Sequence, residues 1–192
     1  MPDPETKRRR SIRLPGLDYA RSGPFFVTIC SENRVCLFGD VVNGEMKLNS
    51  FGRIVKEEWL RTAQLRPETI LDAHVVMPNH FHRIVSILNR EAEAADRPRA
   101  HSPAPLQRQA RSLGALIAQF KATTTRRINE LRRRPGSTVW QRNYYEHAIR
   151  NARGLERIRR YIASNPAQWA DDGYNPRFVQ QEGERRTPRR LR

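Results

Sequence analysis

The stretch HVVMPNHFHRIV, His74 to Val85, decides how this chain is read. Two apolar runs, ILDAHVV and HFHRIVSIL, are separated by Met77-Pro78-Asn79, a turn-forming insert, so they read as antiparallel neighbouring strands. Strand side chains alternate faces, which sends His80 and His82 one way and Phe81 and Arg83 the other. Same-face neighbours lie roughly 6.5 to 7 Å apart along the backbone, a gap that two imidazoles can close to grip one ion. Two ligands leave positions open, which suits a catalytic metal better than a sealed structural one. Spacing alone serves a metal site and a hydrogen-bonded core pair equally well. His74, His101 and His147 read as structural or solvated.

Working outward, Phe25 to Cys30 (FFVTIC) reads as a buried strand, and RVCLFGDVVNGEMKLN as a β-hairpin turning at Asn43-Gly44. Ile54, Val55, Glu58, Trp59 and Ala63 recur at helical spacing from Ser50, a candidate N-cap, to Gln64. A long amphipathic helix is expected over Ser112 to Arg134, with Leu113, Leu116, Ile117, Phe120, Ile128 and Leu131 on one stripe and a basic face opposite. VWQRNYY reads as a short strand, and a last helix runs from Ala152 to Ser164 before Asn165-Pro166 stops it. The order fits an α+β fold with helices packed on an antiparallel sheet. Residues 1–22 read as a basic arm, 23–170 as the domain, 89–109 as an internal loop rich in Ala, Pro, Arg and Glu, and 171–192 as a basic tail.

The 192 residues suffice for a core without staples. Cys30 and Cys36 read as reduced thiols, and with no secretory leader and no apolar run near the roughly 18 residues of a membrane span, the expectation is a cytoplasmic, nucleoid-associated protein. Lys and Arg number 36 against 20 Asp and Glu, a formal charge of +16. Such a surplus favours a polyanion partner, because paired phosphates release counterions. Arg126, Arg127, Arg142 and Arg150 are candidate phosphate contacts, each with solvated charge as its plain alternative. Tyr19 could stack on a base or fasten the arm to the sheet.

MPNHFH resembles the histidine-hydrophobic-histidine motif of the HUH single-tyrosine (IS200-like) transposases. WQRNYYEHAIRN, RRYIASNP and the early segment RRRSIRLPGLDYARSGPFFVTICSENRVCLFGDVV resemble the REP-associated tyrosine transposase branch, so the likeness runs from about Arg8 to Pro176. It implies a ferredoxin-like sheet on which His80 and His82 bind a divalent ion, Mg2+ or Mn2+. It places the nucleophile on Tyr161, which would attack a DNA phosphate to leave a 5′-phosphotyrosine, and a third metal ligand on Asn165. The implied substrate is single-stranded or hairpin DNA, including REP-like palindromes, for a monomer or homodimer.

The residues themselves add to this. Tyr161 edges the stripe Leu155, Ile158 and Ile162, where a ring can pack while its hydroxyl reaches a cleft or simply water. Asn165 lies one turn further on the same face, and as Asn before Pro it is also a helix terminator. Tyr144, Tyr145 and Glu146 are rival catalytic groups, with packing or base stacking the plainer role for the tyrosines. The sequence leaves two alternatives to a strand-transferase: a binding module on the same fold that does not cleave, and a phosphodiesterase that uses water. Arg83 departs from the small or apolar residue common after the second histidine.

Overall fold

The structure, a computed structural model, describes residues 23–88 and 112–178. The expected arm and the loop 89–109, with Tyr19 and His101, lie outside the described residues, as does the chain beyond 178.

The elements run β1 (Phe25–Cys30), β2 (Gly39–Val42), β3 (Glu45–Leu48), α1 (Ser50–Leu65), β4 (Thr69–Val76), β5 (His80–Ile87), α2 (Leu113–Leu131), β6 (Tyr145–Ala148), α3 (Ala152–Ser164) and a 3-10 turn over Pro166–Asp171. The main sheet has the order β4-β5-β1-β6, and every pairing in it is antiparallel. This is the ferredoxin-like arrangement, α+β as expected, with the β2–β3 hairpin inserted after the first strand. Asn43 and Gly44 turn that hairpin with φ of 53° and 75°, the left-handed values that two-residue hairpin turns demand.

Strand alternation makes two unlike faces. Phe25, Val27 and Ile29 of β1 and Phe81 and Val85 of β5 enter the main core, which α1 and α2 cover through Val55, Trp59, Leu116, Ile117 and Phe120. The opposite face is smaller: Ile84 meets Ile158 and Ile162 of α3, with Phe26, Val75 and Leu155 packed around them. Fully burying such side chains is worth about 1.5–3 kcal/mol each, which fixes the register of β5 and hence which residues face α3.

Three local expectations shift. Helix α1 is capped by Asn49, whose side chain accepts from the backbone N–H groups of Phe51 and Gly52, and not by Ser50. A Cβ at Gly52 would fall on the Phe38 carbonyl, so the first turn of α1 lies directly against the backbone that enters β2. The sheet takes Tyr145–Ala148 and not VWQRNYY, of which Trp140 makes an isolated bridge to Ser31. The Trp140 indole N–H donates to Thr124 Oγ1 at 2.8 Å, which draws that segment into the core beside α2 instead. Leu131 stays exposed at the C-terminal end of α2.

The folded unit also runs past the expected boundary at residue 170. Tyr174 packs against His80 at a tilt of 38° with ring centroids 4.6 Å apart, and its carbonyl accepts from Asn79 Nδ2 at 2.7 Å. Asn175 is buried and donates to the Trp169 carbonyl at 2.8 Å. Residues 171–175 therefore belong to the domain because they close over its histidine face.

Candidate active site

Three elements and the segment after α3 converge on one face of β5. His80 and His82 point the same way, with ring centroids 4.4 Å apart, and both are buried. Cross-strand register sets Thr28 opposite His82 and Cys30 opposite His80. The Thr28 hydroxyl lies 2.7 Å from His82 Nδ1.

The orientation of His80 follows from Asn79. The Asn79 amide donates through Nδ2 to the carbonyls of Arg34 and Tyr174, at 2.9 and 2.7 Å. Its Oδ1 is thus left to accept from His80 Nδ1 at 2.9 Å. That bond puts the proton of neutral His80 on Nδ1 and leaves a lone pair on Nε2, the outer-shell device that orients metal-ligating imidazoles. His80 Nε2 is buried without a hydrogen-bond partner. Burial lowers the His80 pKa to about 3, with the Asn165 amide working against the shift and Arg34 adding to it. Burial likewise holds His82 well below the ordinary imidazole range, with His80 beside it adding to the effect. Both rings are therefore neutral near pH 7, the form that binds a cation.

Helix α3 brings the other two groups. Asn151 caps it by accepting from Gly154 N–H at 2.7 Å. Arg159 ties it to β4 through Asp72, with Nε–Oδ1 at 3.0 Å and Nη2–Oδ2 at 2.6 Å. Ile158 and Ile162 face the sheet, so Tyr161 falls at the edge. Its ring meets Phe26 edge-on at 6.0 Å, and its hydroxyl lies 3.2 Å from His82 Nε2. Burial raises the Tyr161 pKa, Asp172 adds to this, and the Asn165 amide opposes it. Tyr161 nonetheless keeps 39% of its surface, enough for a substrate to reach the phenol.

Asn165 sits at the centre. Its amide interacts with His80, Tyr161 and Asp172, and its Oδ1 is buried with no hydrogen-bond donor. Orphaned buried acceptors are rare in folded proteins, and two of them, His80 Nε2 and Asn165 Oδ1, face one spot. Among the described residues no three His, Cys, Asp or Glu side chains form a ready-made metal cluster. The donor set His80, His82 and Asn165, two imidazoles and an amide oxygen, nevertheless fits a divalent ion.

Of the candidate DNA contacts, Arg150 lies in an open basic cleft with Arg153, Arg157, Arg160 and His147, beside α3. None of these four arginines has an acidic partner among the described residues. Arg126 and Arg127 are on α2, the far layer from the histidines. Arg127 is bonded to Glu58 at 2.8 Å and Glu57 at 3.0 Å, and Arg126 pairs with Glu130 at 3.3 Å. Arg142 is exposed and lines a groove between α2 and residues 135–142. Of the rival groups, Glu146 is buried facing the main core, and Tyr144 packs against that core. Tyr145 touches Phe26 at 6.2 Å. His74 sits on β4 with its ring edge-on to Phe81, away from the pair. Thr28, Asn79, Asp172 and Tyr174 are site residues that sequence reading missed.

The solved structure of a REP-associated tyrosine transposase bound to a REP hairpin has this fold: it superposes with a TM-score of 0.52 at 20% identity, over 78% of this chain and 70% of that one. No family model matches the chain. It is 38% identical over 170 residues to a Haemophilus influenzae protein described only as "Uncharacterized protein", covering 85% of this chain and 91% of that protein. The chain belongs to that protein's family. No helix among the described residues is long and apolar enough to cross a membrane.

Proposed function

We propose that the chain is a metal-dependent single-tyrosine DNA nickase and strand-transferase acting on single-stranded or hairpin DNA. The observation that carries this reading is the meeting, within one chain, of the Tyr161 hydroxyl with His82 Nε2 at 3.2 Å beside His80. The shared fold with a hairpin-bound transposase and the chain's charge of +16 support it.

In the proposed step a bond forms between Tyr161 Oη and phosphorus while the bond from phosphorus to the 3′-oxygen breaks. The phenol loses its proton and the departing 3′-oxygen gains one, leaving a 5′-phosphotyrosine and a free 3′-hydroxyl. One phosphodiester replaces another, so a 3′-hydroxyl can reverse the step and rejoin strands, which hydrolysis could not do. Phe26 holds the phenol ring edge-on, and α3 aims its hydroxyl at the histidine face. A tyrosine with pKa near 10 is a weak nucleophile at neutral pH, and burial raises this one further. A Mg2+ or Mn2+ ion held by His80, His82 and Asn165 would supply stabilisation of the charge that builds on the phosphate. The arginines at 150, 153, 157 and 160 would hold the flanking backbone through its phosphates.

The test is to incubate labelled hairpin DNA with the full chain and Mn2+ and resolve covalent adducts on a denaturing gel. An adduct is expected from the unsubstituted chain and none from Tyr161→Phe. An adduct that persists in that variant removes Tyr161 as nucleophile. Cleavage without any adduct would favour water as the attacking group, and salt-sensitive binding with no cleavage under any divalent ion would favour a binding module.

A further inference from the structure

We infer that Asp172 is an additional ligand of the cation site, so that this chain offers a carboxylate beside the two imidazoles and the amide. The inference rests on the metal-dependent reading above. Asp172 follows the 3-10 turn after α3, and its side chain is only 8% exposed. The carboxylate is split in its duties. Oδ1 accepts from the backbone N–H of Tyr174 at 2.7 Å, while Oδ2 lies 3.9 Å from His80 Nε2. Among the described residues no Lys or Arg stands within ion-pair distance of it.

The surroundings make that oxygen hard to explain without a cation. His80 Nε2 bears a lone pair, because its proton is held on Nδ1 by Asn79. Asn165 Oδ1 accepts nothing, and its amide interacts with both His80 and Asp172. Two acceptors without a hydrogen-bond donor, His80 Nε2 and Asn165 Oδ1, therefore face one buried spot beside the Asp172 carboxylate, which the Asn165 amide also engages, an arrangement that a cation relieves. The spacing suits one. Ligand atoms about 2.1 Å from a shared ion are about 3.0 Å apart at right angles and about 4.2 Å apart across it. The separation of 3.9 Å falls inside that window.

The segment is also held in place. Arg34 packs over the Tyr174 ring at 5.0 Å, Asn79 bonds the Tyr174 carbonyl, and Asn175 bonds back to Trp169. Asp172 thus presents its carboxylate on a braced loop, and an anionic oxygen ligand favours a hard divalent ion such as Mg2+ or Mn2+.

The experiment is calorimetric titration of the full-length chain with Mn2+, without DNA, comparing the unsubstituted protein with Asp172→Asn, Asp172→Ala and His80→Ala. Asp172→Asn preserves the acceptor for Tyr174 N–H and removes only the charge, and circular dichroism checks that each variant is folded. The expected result is a loss of Mn2+ affinity of at least about tenfold in Asp172→Asn, more in Asp172→Ala. Unchanged affinity in both Asp172 variants alongside lost binding in His80→Ala would overturn this inference and leave the proposed function standing. Absence of Mn2+ binding by the unsubstituted chain would overturn both.

Discussion

Strand β5 presents two chemistries one residue apart. On the α3 side, His80 and His82 have their Nδ1 atoms hydrogen-bonded by Asn79 and Thr28, and their Nε2 atoms face the site. On the other side, Phe81 stacks on Phe120 at 5.6 Å and meets Trp59 edge-on at 5.6 Å. Arg83 lies among those same rings, fully buried, with its guanidinium carbon 4.7 Å from the Trp59 ring, 4.9 Å from Phe120 and 5.0 Å from Phe81. None of its three nitrogens has a hydrogen-bond partner among the described residues. One face is polar, with its Nδ1 atoms committed, His82 Nε2 beside the Tyr161 hydroxyl and His80 Nε2 without a partner; the other is a greasy core that has accepted a cation. The proposed chemistry lies where the lone pairs converge, and stability where the rings do.

The largest expected contrast comes from single truncations on adjacent residues. His82→Ala should reduce phosphotyrosine adduct by more than about a hundredfold while lowering unfolding free energy by only about 1–2 kcal/mol. Phe81→Ala should lower it by about 3–5 kcal/mol, because it empties a ring site between Trp59 and Phe120. Denaturant titration beside the adduct assay checks both, and a His82 variant as unstable as the Phe81 variant would erase the distinction between faces.

Arg83→Met comes next and has the opposite sign. Exchanging a buried, unbonded cation for an apolar side chain of similar length should raise stability by about 1–4 kcal/mol, the cation–π contacts offsetting part of the gain. Desolvation lowers the Arg83 pKa to about 9, with nearby Tyr144 acting the other way. The folded state then binds fewer protons than the unfolded state above about pH 9, so this residue's penalty is full below that pH and fades as pH rises further. The advantage of Arg83→Met should accordingly shrink between pH 7 and pH 10 in paired urea titrations. A variant less stable than the parent at pH 7 would mean that the aromatic cage outweighs the desolvation.

These two faces were legible in the sequence to different depths. Alternation in HFHRIV placed His80 and His82 together and Arg83 opposite them, because a period of two follows from strand geometry alone. The helix carrying Tyr161 was bounded correctly because the stripe Leu155, Ile158 and Ile162 and the stop at Asn165-Pro166 are local signals. Asn79 read only as a turn residue, since its role depends on carbonyls of residues 34 and 174, far away in sequence. Thr28 became a site residue only through register, and Asp172 only because the chain doubles back after α3; Asp-Gly before Tyr marks a turn and nothing more. VWQRNYY was misplaced for a similar reason: its β-like composition was overridden when Trp140 found Thr124 on α2.

A smaller effect concerns Thr28. Thr28→Val keeps shape and removes the hydroxyl at His82 Nδ1, freeing the ring to turn. About a tenfold loss of Mn2+ affinity is expected, with Asp172 and His80 still in place. Retained affinity would show that packing against Phe26, 5.3 Å away between ring centroids, orients His82 by itself.

The smallest effect separates the two layers by their arginines. Arg153, Arg157 and Tyr161 succeed one another at four-residue intervals on α3, a rise of about 6 Å per step, close to the spacing of phosphates along an extended single strand. Arg157 has no acidic partner among the described residues, whereas Arg127 on α2 is bonded to two glutamates and Arg126 to one. Arg157→Ala should therefore lower the slope of log affinity against log salt by about 0.7 for a single-stranded oligonucleotide, and Arg126→Ala should leave it unchanged. Fluorescence anisotropy across a salt series measures both. A lower slope in Arg126→Ala with none in Arg157→Ala would put the backbone track on the α2 layer, on the wrong side of the sheet for Tyr161 to reach a phosphate.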